Sequence, residues 1–109
     1  MTIAISASGN GWKERLDERF GRAQGFFLID SDNGNTRFLD NSINVDAAHG
    51  AGTGTVQLLL KEGVGVVITG RVGPKAADAL SAAGVTVVTA AEECSLEEAW
   101  KNYEESLKR

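Results

Sequence analysis

The sequence predicts a single-domain α/β fold: a five-stranded mixed sheet, with one antiparallel strand, flanked by helices. In the second half of the chain, short β-branched runs alternate with segments whose apolar residues have helical spacing. This alternation predicts parallel strands joined by right-handed helical crossovers. In the first half, an Asn- and Gly-rich turn marks a β-hairpin. The length of 109 residues suits one domain, 1–109, which can bury a core without disulfides or a structural metal.

The first half of the chain is predicted to form three strands. The first is the β-branched run Thr2–Ala7, which ends in the turn residues Ser8–Gly11. After a charged loop, an apolar run predicts a second strand over Phe26–Asp30. The turn Asp32–Asn35 then returns the chain antiparallel into a third strand, Thr36–Leu39, because Asn and Gly tolerate the positive φ of tight hairpin turns.

The second half is predicted to alternate helices and strands. Glycines mark the helix ends, Pro74 suits a first helical position, and a Ser-x-x-Glu capping box opens the last helix. In order, the elements are a helix over Ala51–Glu62, a strand over Val64–Thr69, a helix from Pro74 closed by Gly84, a strand over Val85–Thr89 and a helix from Leu96 to Leu107. The predicted order is therefore β-β-β-α-β-α-β-α, with an antiparallel second strand.

The apolar pattern also predicts the core. Alternate residues of the strands should be buried under the apolar faces of the helices. The predicted strand positions are Ile3, Ile5, Val66, Ile68, Val85 and Val87, with Leu59, Leu80 and Trp100 packed over them.

Composition excludes several classes of function. Eleven Lys and Arg against fifteen Asp and Glu give a formal net charge of −4, whereas a generic nucleic-acid binder carries a basic excess. No apolar stretch approaches the ~20 residues needed to cross a bilayer, and the start of the chain lacks the pattern of a signal peptide. The single cysteine, Cys94, excludes an internal disulfide. A cytoplasmic protein that contacts neither membrane nor nucleic acid is expected.

No catalytic motif is present, so we expect a binding protein rather than an enzyme. The sequence contains no nucleophile elbow, no His-Glu-x-x-His and no paired-cysteine motif. A two-metal nuclease would need carboxylates that hold two metal ions. Asp30, Asp32 and Asp40 lie on or beside the hairpin strands, but the first strand, Thr2–Ala7, carries no acidic residue.

Several connections should meet at the carboxyl edge of the sheet, where open α/β folds bind ligands. In His49–Gly54, three glycines stand at or just before a helix start, which predicts close approach either by a ligand or by a neighbouring strand in tight helix–sheet packing. The run matches neither a dinucleotide fingerprint nor a phosphate-binding P-loop.

The same edge is predicted to be basic. Arg71 lies between glycines ahead of a helix, where it either binds an anion or forms a solvated or salt-bridged loop arginine. Arg19, Arg22, Lys75 and His49 would add positive charge in a chain that is acidic overall.

Two side chains are candidate metal ligands. His49 precedes the glycine-rich helix start, where it is either a ligand or a surface and capping residue. Cys94 precedes the last helix, where it is either a soft ligand with a pKa lowered by the helix N-terminus or a partly buried, inert thiol. One Cys and one His are too few for a structural zinc site.

These motifs together resemble the dinitrogenase iron–molybdenum cofactor-binding family, which includes nitrogenase cofactor carriers and orange-protein-like members. The resemblance runs from Ile3 to about Leu107 and rests on Asp17–Ala23, His49–Gly52, Val66–Pro74 with Ala76, and Leu96–Ala99 with Tyr103. It implies a ribonuclease-H-like fold. It also implies cofactor-binding residues at Arg19, Phe20, Gly21, Arg22, His49, Gly50, Gly52, Gly70, Arg71 and Gly73, with His49 and Cys94 as candidate metal ligands.

One residue departs from the family pattern. Many members have a histidine immediately before Phe-Gly, and this chain has Arg19 there. An arginine would hold an anionic cluster by charge and hydrogen bonds rather than by ligation. The expected function is a carrier for an anionic metal–sulfur cluster, either iron–molybdenum cofactor or another molybdenum-containing iron–sulfur or metal–sulfur cluster, with protein donors and acceptors. The alternative is a regulatory module that binds a small organic or phosphate-bearing anion at the same edge.

Overall fold

The computed structural model describes residues 1–47, 49–90 and 93–108. The elements are β1 (Thr2–Ala7), β2 (Gly25–Asp30), β3 (Thr36–Asp40), α1 (Ser42–Val45), α2 (Ala51–Lys61), β4 (Val64–Thr69), α3 (Pro74–Ala82), β5 (Thr86–Thr89) and α4 (Leu96–Leu107). This order confirms the predicted class and adds one element, α1, that was not predicted. The single turn of α1 buries no residue and has no side-chain cap, so it leaves no apolar period in the sequence.

The sheet has the strand order β3-β2-β1-β4-β5. β2 is antiparallel to both β1 and β3, whereas β1, β4 and β5 are parallel. The predicted mixed sheet with one antiparallel strand is therefore confirmed. Because β1, β3, β4 and β5 share a direction, their following segments begin at one edge of the sheet, which positions the candidate site.

Each face of the sheet has its own core. Leu59 of α2 and Leu80 of α3 pack over Ala4, Leu28 and Val67 on one face. On the opposite face, α4 covers the alternate residues of the same strands, namely Ile3, Ile5, Val66 and Ile68 with Leu96, Ala99 and Trp100. The prediction that Leu59 and Leu80 pack over these four residues is wrong, because successive strand residues point to opposite faces and α4 lies across the sheet from α2 and α3.

The burial of most predicted core residues is confirmed, but that of Val87 is not. Ile3, Ile5, Val66, Ile68, Val85, Leu59 and Leu80 are buried, and Trp100 is half-buried. Val87 is 39% exposed because β5 is an edge strand with a neighbour on only one side.

The loop after β1 runs along the α4 side of the molecule. Leu16 donates its backbone N–H to the Cys94 carbonyl at 2.9 Å, and Glu97 donates to the Trp12 carbonyl at 3.0 Å. Trp12 packs edge-on against Phe27, with ring centroids 4.9 Å apart, and lies 6.2 Å from the Trp100 ring. Backbone pairing and aromatic packing thus fix the loop against α4. Within the described residues, no helix is long and apolar enough to span a membrane.

Candidate functional site

A cleft of about 850 Å³ lies at the carboxyl edge of the sheet, on the face covered by α2 and α3. Three segments form its walls: the end of the loop after β1, the start of α2 and the start of α3. We call it the basic cleft; its lining residues are Arg19–Arg22, Gly50–Thr53, Arg71 and Gly73–Ala76.

Backbone contacts hold these segments together. Arg71 donates its N–H to the Glu18 carbonyl at 2.6 Å, and Phe20 donates to the Arg71 carbonyl at 3.1 Å. A Cβ on Gly21 would lie 2.9 Å from the Gly52 Cα and amide nitrogen, closer than real Cβ atoms approach. The loop and the first turn of α2 therefore meet backbone to backbone, and only glycine fits at position 21.

Buried polar side chains hold the loop from below. The two hydrogens of the Asn41 amide reach the carbonyls of Ala23 at 3.0 Å and Gly21 at 3.4 Å, and the Thr55 hydroxyl lies 2.8 Å from the Ala51 carbonyl and 3.2 Å from that of Gly21. Both side chains are wholly buried. The sequence analysis did not predict a role for Asn41, because its only signal in the sequence is a polar residue directly after a strand. These bonds satisfy loop carbonyls that would otherwise be buried without partners.

Among the described residues, the lining carries four cationic side chains, Arg19, Arg22, Arg71 and Lys75, and no acidic one. The Arg22 guanidinium donates to the carbonyls of Val45 and Ala47 at 2.6 and 3.3 Å, so part of its role is to hold the segment before α2. The other two arginines have carboxylate neighbours just outside the lining.

Arg19 pairs with Asp17 at 3.3 Å, and Arg71 pairs with Glu18 at 3.2 Å. The hydrogen bond and charge of Asp17 raise the pKa of Arg19, so that this side chain stays cationic. The Arg71 side chain is 75% exposed, and an ion pair this exposed contributes at most about 1 kcal/mol. Arg71 can therefore turn to another anion at little cost in free energy.

Two helix starts at the cleft lack side-chain caps. α2 begins after Gly50, whose φ of +71° favours glycine, and α3 begins after Gly73. Among the described residues, no side chain accepts a capping hydrogen bond at either start. At α4, by contrast, Ser95 and Glu98 form a complete capping box, which confirms that prediction. Free first-turn N–H groups and their partial positive charge therefore add to the cationic side chains at the cleft.

Most of the predicted binding residues line the basic cleft. They are Arg19, Phe20, Gly21, Arg22, Gly50, Gly52, Arg71 and Gly73. Gly70 lies behind the lining, where a Cβ would be 2.7 Å from the Glu18 Cα. His49 is exposed and precedes Gly50 without lining the cleft. The structure adds Ala51, Thr53, Pro74, Lys75 and Ala76.

Packing accounts for two of the glycines of His49–Gly54. A Cβ on Gly52 would lie 3.1 Å from the Ala76 Cβ of α3, and one on Gly54 would overlap the Asn44 side chain of α1. The close approach at these two glycines is therefore to helices, and at Gly52 also to Gly21 of the loop after β1, rather than to a neighbouring strand as predicted. Gly73 differs, because a Cβ there would meet no atom within 4 Å.

The two candidate metal ligands are not brought together. Cys94 packs into the α4-side core and is 8% exposed, whereas His49 directly precedes α2, which covers the other face. Within residues 1–47, 49–90 and 93–108, no three His, Cys, Asp or Glu side chains form a group that could hold a metal ion. Burial, with the charge of Glu98, raises the pKa of the Cys94 thiol, so the lowered pKa considered from the sequence is wrong.

We expect Cys94 to react slowly with a thiol-specific disulfide reagent in the native protein. A raised pKa leaves little of the reactive thiolate at neutral pH, and burial blocks access. The rate should increase with pH through a midpoint above that of a free cysteine. The urea-unfolded chain is the control, and equal native and unfolded rates at neutral pH would contradict the buried environment.

The fold and the cleft define a class of small α/β protein with a cationic, glycine-lined cleft at the carboxyl edge of a mixed sheet. The chain belongs to the dinitrogenase iron-molybdenum cofactor family, whose model matches residues 1–106.

Individual relatives agree with this assignment. The structure is similar to the apo form of the orange protein from Desulfovibrio gigas, with a TM-score of 0.93 and 39% identity over 96% of this chain and 88% of that one. It is also similar to a putative NifB protein from Thermotoga, with a TM-score of 0.83 and 34% identity over 95% and 87% of the chains. An uncharacterized protein of Methanocaldococcus jannaschii is 31% identical over 101 residues, 86% of this chain and 81% of the relative. The family and these neighbours support a cofactor-binding or carrier role.

Proposed function

We propose that this protein binds and carries an anionic metal–sulfur cluster in the basic cleft, the cargo being iron–molybdenum cofactor or another molybdenum-containing cluster. One observation carries the proposal: four cationic side chains and two uncapped helix starts surround a cleft of about 850 Å³, and none of its lining residues in the described part of the chain is acidic. Donor and acceptor proteins, in the cytoplasm, would supply and receive the cargo.

The donor set fits a cluster held by its outer atoms. The lining offers guanidinium, ammonium and backbone N–H donors, and it contains neither Cys nor His. A preassembled cluster brings its own sulfides, which accept hydrogen bonds and carry negative charge. Ion pairs and hydrogen bonds exchange readily, whereas direct thiolate ligation would hold the metal more firmly. The lining therefore suits uptake and release.

The same lining argues against catalysis. Within residues 1–47, 49–90 and 93–108, it contains no carboxylate, thiol or imidazole that would act as a nucleophile or general base. A small phosphate-bearing anion is the competing ligand, because helix N-termini and arginines also bind phosphate. The experiment must therefore separate a molybdenum–sulfur anion from phosphate.

Anaerobic purification from the native host, followed by metal analysis and a visible absorption spectrum, tests the proposal directly. We expect molybdenum and a coloured protein. For protein purified without metal, titration with tetrathiomolybdate should perturb the absorption of this anion at stoichiometric ratios, and equal concentrations of phosphate or sulfate should not compete. A colourless native protein without molybdenum, iron or copper, which binds phosphate more tightly than tetrathiomolybdate, would favour the organic or phosphate anion.

Replacing Gly73 with serine should stabilise the fold and weaken tetrathiomolybdate binding. Gly73 has φ −66° and ψ 160°, close to the −79° and 164° of the capping residue Ser95, so a serine can cap α3 in the same way. We expect the free energy of unfolding to rise by a few tenths of a kcal/mol, since Ser is a slightly better cap than Gly. The serine oxygen would take an N–H group that the anion otherwise uses.

The matched control is Ser95→Gly at the start of α4. This variant removes a cap outside the basic cleft, so it should lower stability slightly and leave tetrathiomolybdate affinity unchanged. Unfolding is followed in urea and binding by absorption. Tighter binding in Gly73→Ser than in the wild type would exclude the N–H groups of α3 from the site.

A further inference from the structure

The short helix α1 contributes nothing to the core, because none of its residues is buried. It begins after Asn41, and asparagine at this position usually accepts hydrogen bonds from the first N–H groups of a helix. Here the Asn41 side chain makes no capping bond, although it is wholly buried. The side chain that could stabilise α1 therefore serves another part of the molecule.

The Asn41 side chain points into the loop before β2 instead. Its amide nitrogen donates to the two carbonyls on either side of Arg22, those of Gly21 at 3.4 Å and Ala23 at 3.0 Å. Its amide oxygen accepts a hydrogen bond from the Asn44 side chain of α1 at 2.8 Å. The backbone of Arg22 is therefore held on both sides by the residue at which α1 begins.

The Arg22 side chain is held by the other end of α1. Its guanidinium donates to the carbonyls of Val45 and Ala47 at 2.6 and 3.3 Å. A guanidinium carries five N–H donors, so others remain for a ligand in the basic cleft, which Arg22 lines. Both acceptors are neutral carbonyls, whereas Arg19 and Arg71 pair with carboxylates. The bonds to α1 thus fix the Arg22 guanidinium without neutralising its charge.

Gly54 of α2 makes room for this arrangement. A Cβ at this position would overlap the Asn44 side chain, which reaches between the two helices to Asn41. Glycine is unfavourable within a helix, so α2 gives up some intrinsic stability here, just as α1 gives up its cap. Both losses maintain the contacts that hold Arg22.

We propose that α1 positions Arg22 as a preset anchor for the anionic cargo, with Asn41 as the positioning residue. This inference rests on the proposed function. A side chain that is already held in place loses little conformational freedom when the ligand arrives, so its hydrogen bonds contribute more fully to affinity. Arg71, by contrast, must turn away from its exposed pair with Glu18. The two arginines should therefore respond differently to the loss of Asn41.

Double-mutant cycles with tetrathiomolybdate as the probe test this role. We expect Arg22→Ala to weaken binding about ten-fold, as for one charge-assisted hydrogen bond, and Asn41→Ala to weaken it several-fold. The double variant should bind as Arg22→Ala alone does, because Asn41 acts through Arg22. Combined with Arg71→Ala, the effect of Asn41→Ala should multiply in full. Wild-type affinity in Asn41→Ala, or an effect that persists in the Arg22→Ala background, would overturn the positioning role.

Two further variants separate positioning from stability. Asn44→Ala removes one bond to Asn41 but leaves the loop carbonyls paired, so it tests the same role if Asn41→Ala does not fold. It should weaken binding slightly, and only while Arg22 is present. Ile3→Val lowers stability from the core on the opposite face and should bind like the wild type. Circular dichroism and urea titration check that each variant folds.

Nuclear magnetic resonance of the ligand-free protein distinguishes this inference from the proposed function. We expect the Arg22 guanidinium of the wild type to give signals shifted from those of exposed arginines, and these signals to move towards the Arg71 values in Asn41→Ala and Asn44→Ala. Unchanged Arg22 signals in both variants would overturn the positioning role even if the cargo binds. Shifted signals in a protein that binds no tetrathiomolybdate would support the positioning of Arg22 and count against the proposed cargo alone.

Discussion

Replacing Leu80 with alanine should lower the free energy of unfolding by about 2–5 kcal/mol. Leu80 is completely buried on the inner face of α3, among Leu59, Val67 and Ala76. Two free-energy terms add up to this loss: the favourable transfer of the removed atoms from water into the core, and the cost of the cavity that they leave behind. Since a domain of this size is stable by only about 5–15 kcal/mol, the variant should be visibly marginal in a urea titration.

Leu60→Ala is the matched control, because Leu60 is 41% exposed on the neighbouring helix α2. Leu60→Ala should lower the free energy of unfolding by much less than Leu80→Ala does. Similar losses for both leucines, or a loss under about half a kcal/mol for Leu80, would mean that the face of α3 is assigned wrongly.

Replacing Arg71 with alanine should weaken tetrathiomolybdate binding about ten- to a hundred-fold while leaving the fold nearly intact. Loss of a charge-assisted hydrogen bond costs about 1.5–3 kcal/mol, which corresponds to that change in affinity. The exposed pair with Glu18 contributes little to stability. The backbone bonds of Arg71 to Glu18 and Phe20 do not involve the side chain, so they survive the substitution.

Two further variants separate charge from geometry. Arg71→Lys should recover only part of the affinity, because lysine keeps the charge but loses the planar fork. Arg37→Ala removes another arginine with a single carboxylate partner, outside the cleft, and should leave binding unchanged. His49→Ala tests whether His49 is a metal ligand. If it is, this substitution should change the absorption spectrum of the bound cluster, whereas Arg71→Ala should mainly change the affinity. Wild-type affinity in a folded Arg71→Ala protein would rule Arg71 out as an anchor.

The elements of this fold were largely predictable because they carry local signals. The β-branched run of β4, the turn before β3 and the capping box of α4 each mark their position within a few residues. α1 was not predictable, since its residues are not buried and leave no period. The sequence prediction placed α2 and α3 on the same face as α4, whereas they cover the opposite face. The face that a helix covers follows from the path of the chain and not from any single residue.

The site was predictable to the extent that strand direction determines which loops meet. Gly21, Gly52 and Arg71, far apart in sequence, were expected at one edge and lie together there. The hydrogen-bond partners of the residues around the cleft were not predictable. That Arg22 binds the carbonyls before α2, and that Asn41 binds the carbonyl of Ala23, depends on tertiary contacts that no spacing reveals.

The aromatic packing described above has a practical optical consequence. Trp12 and Trp100, the two tryptophans of the chain, both pack on the α4 side of the sheet, away from the basic cleft. Their emission will respond to unfolding of the α4-side core, while a ligand in the cleft touches neither indole ring. If a coloured cluster quenches the tryptophan emission, the quenching would therefore reflect energy transfer from the indole rings to the cluster across the sheet. The visible absorbance of the same sample would report how much of the basic cleft is occupied.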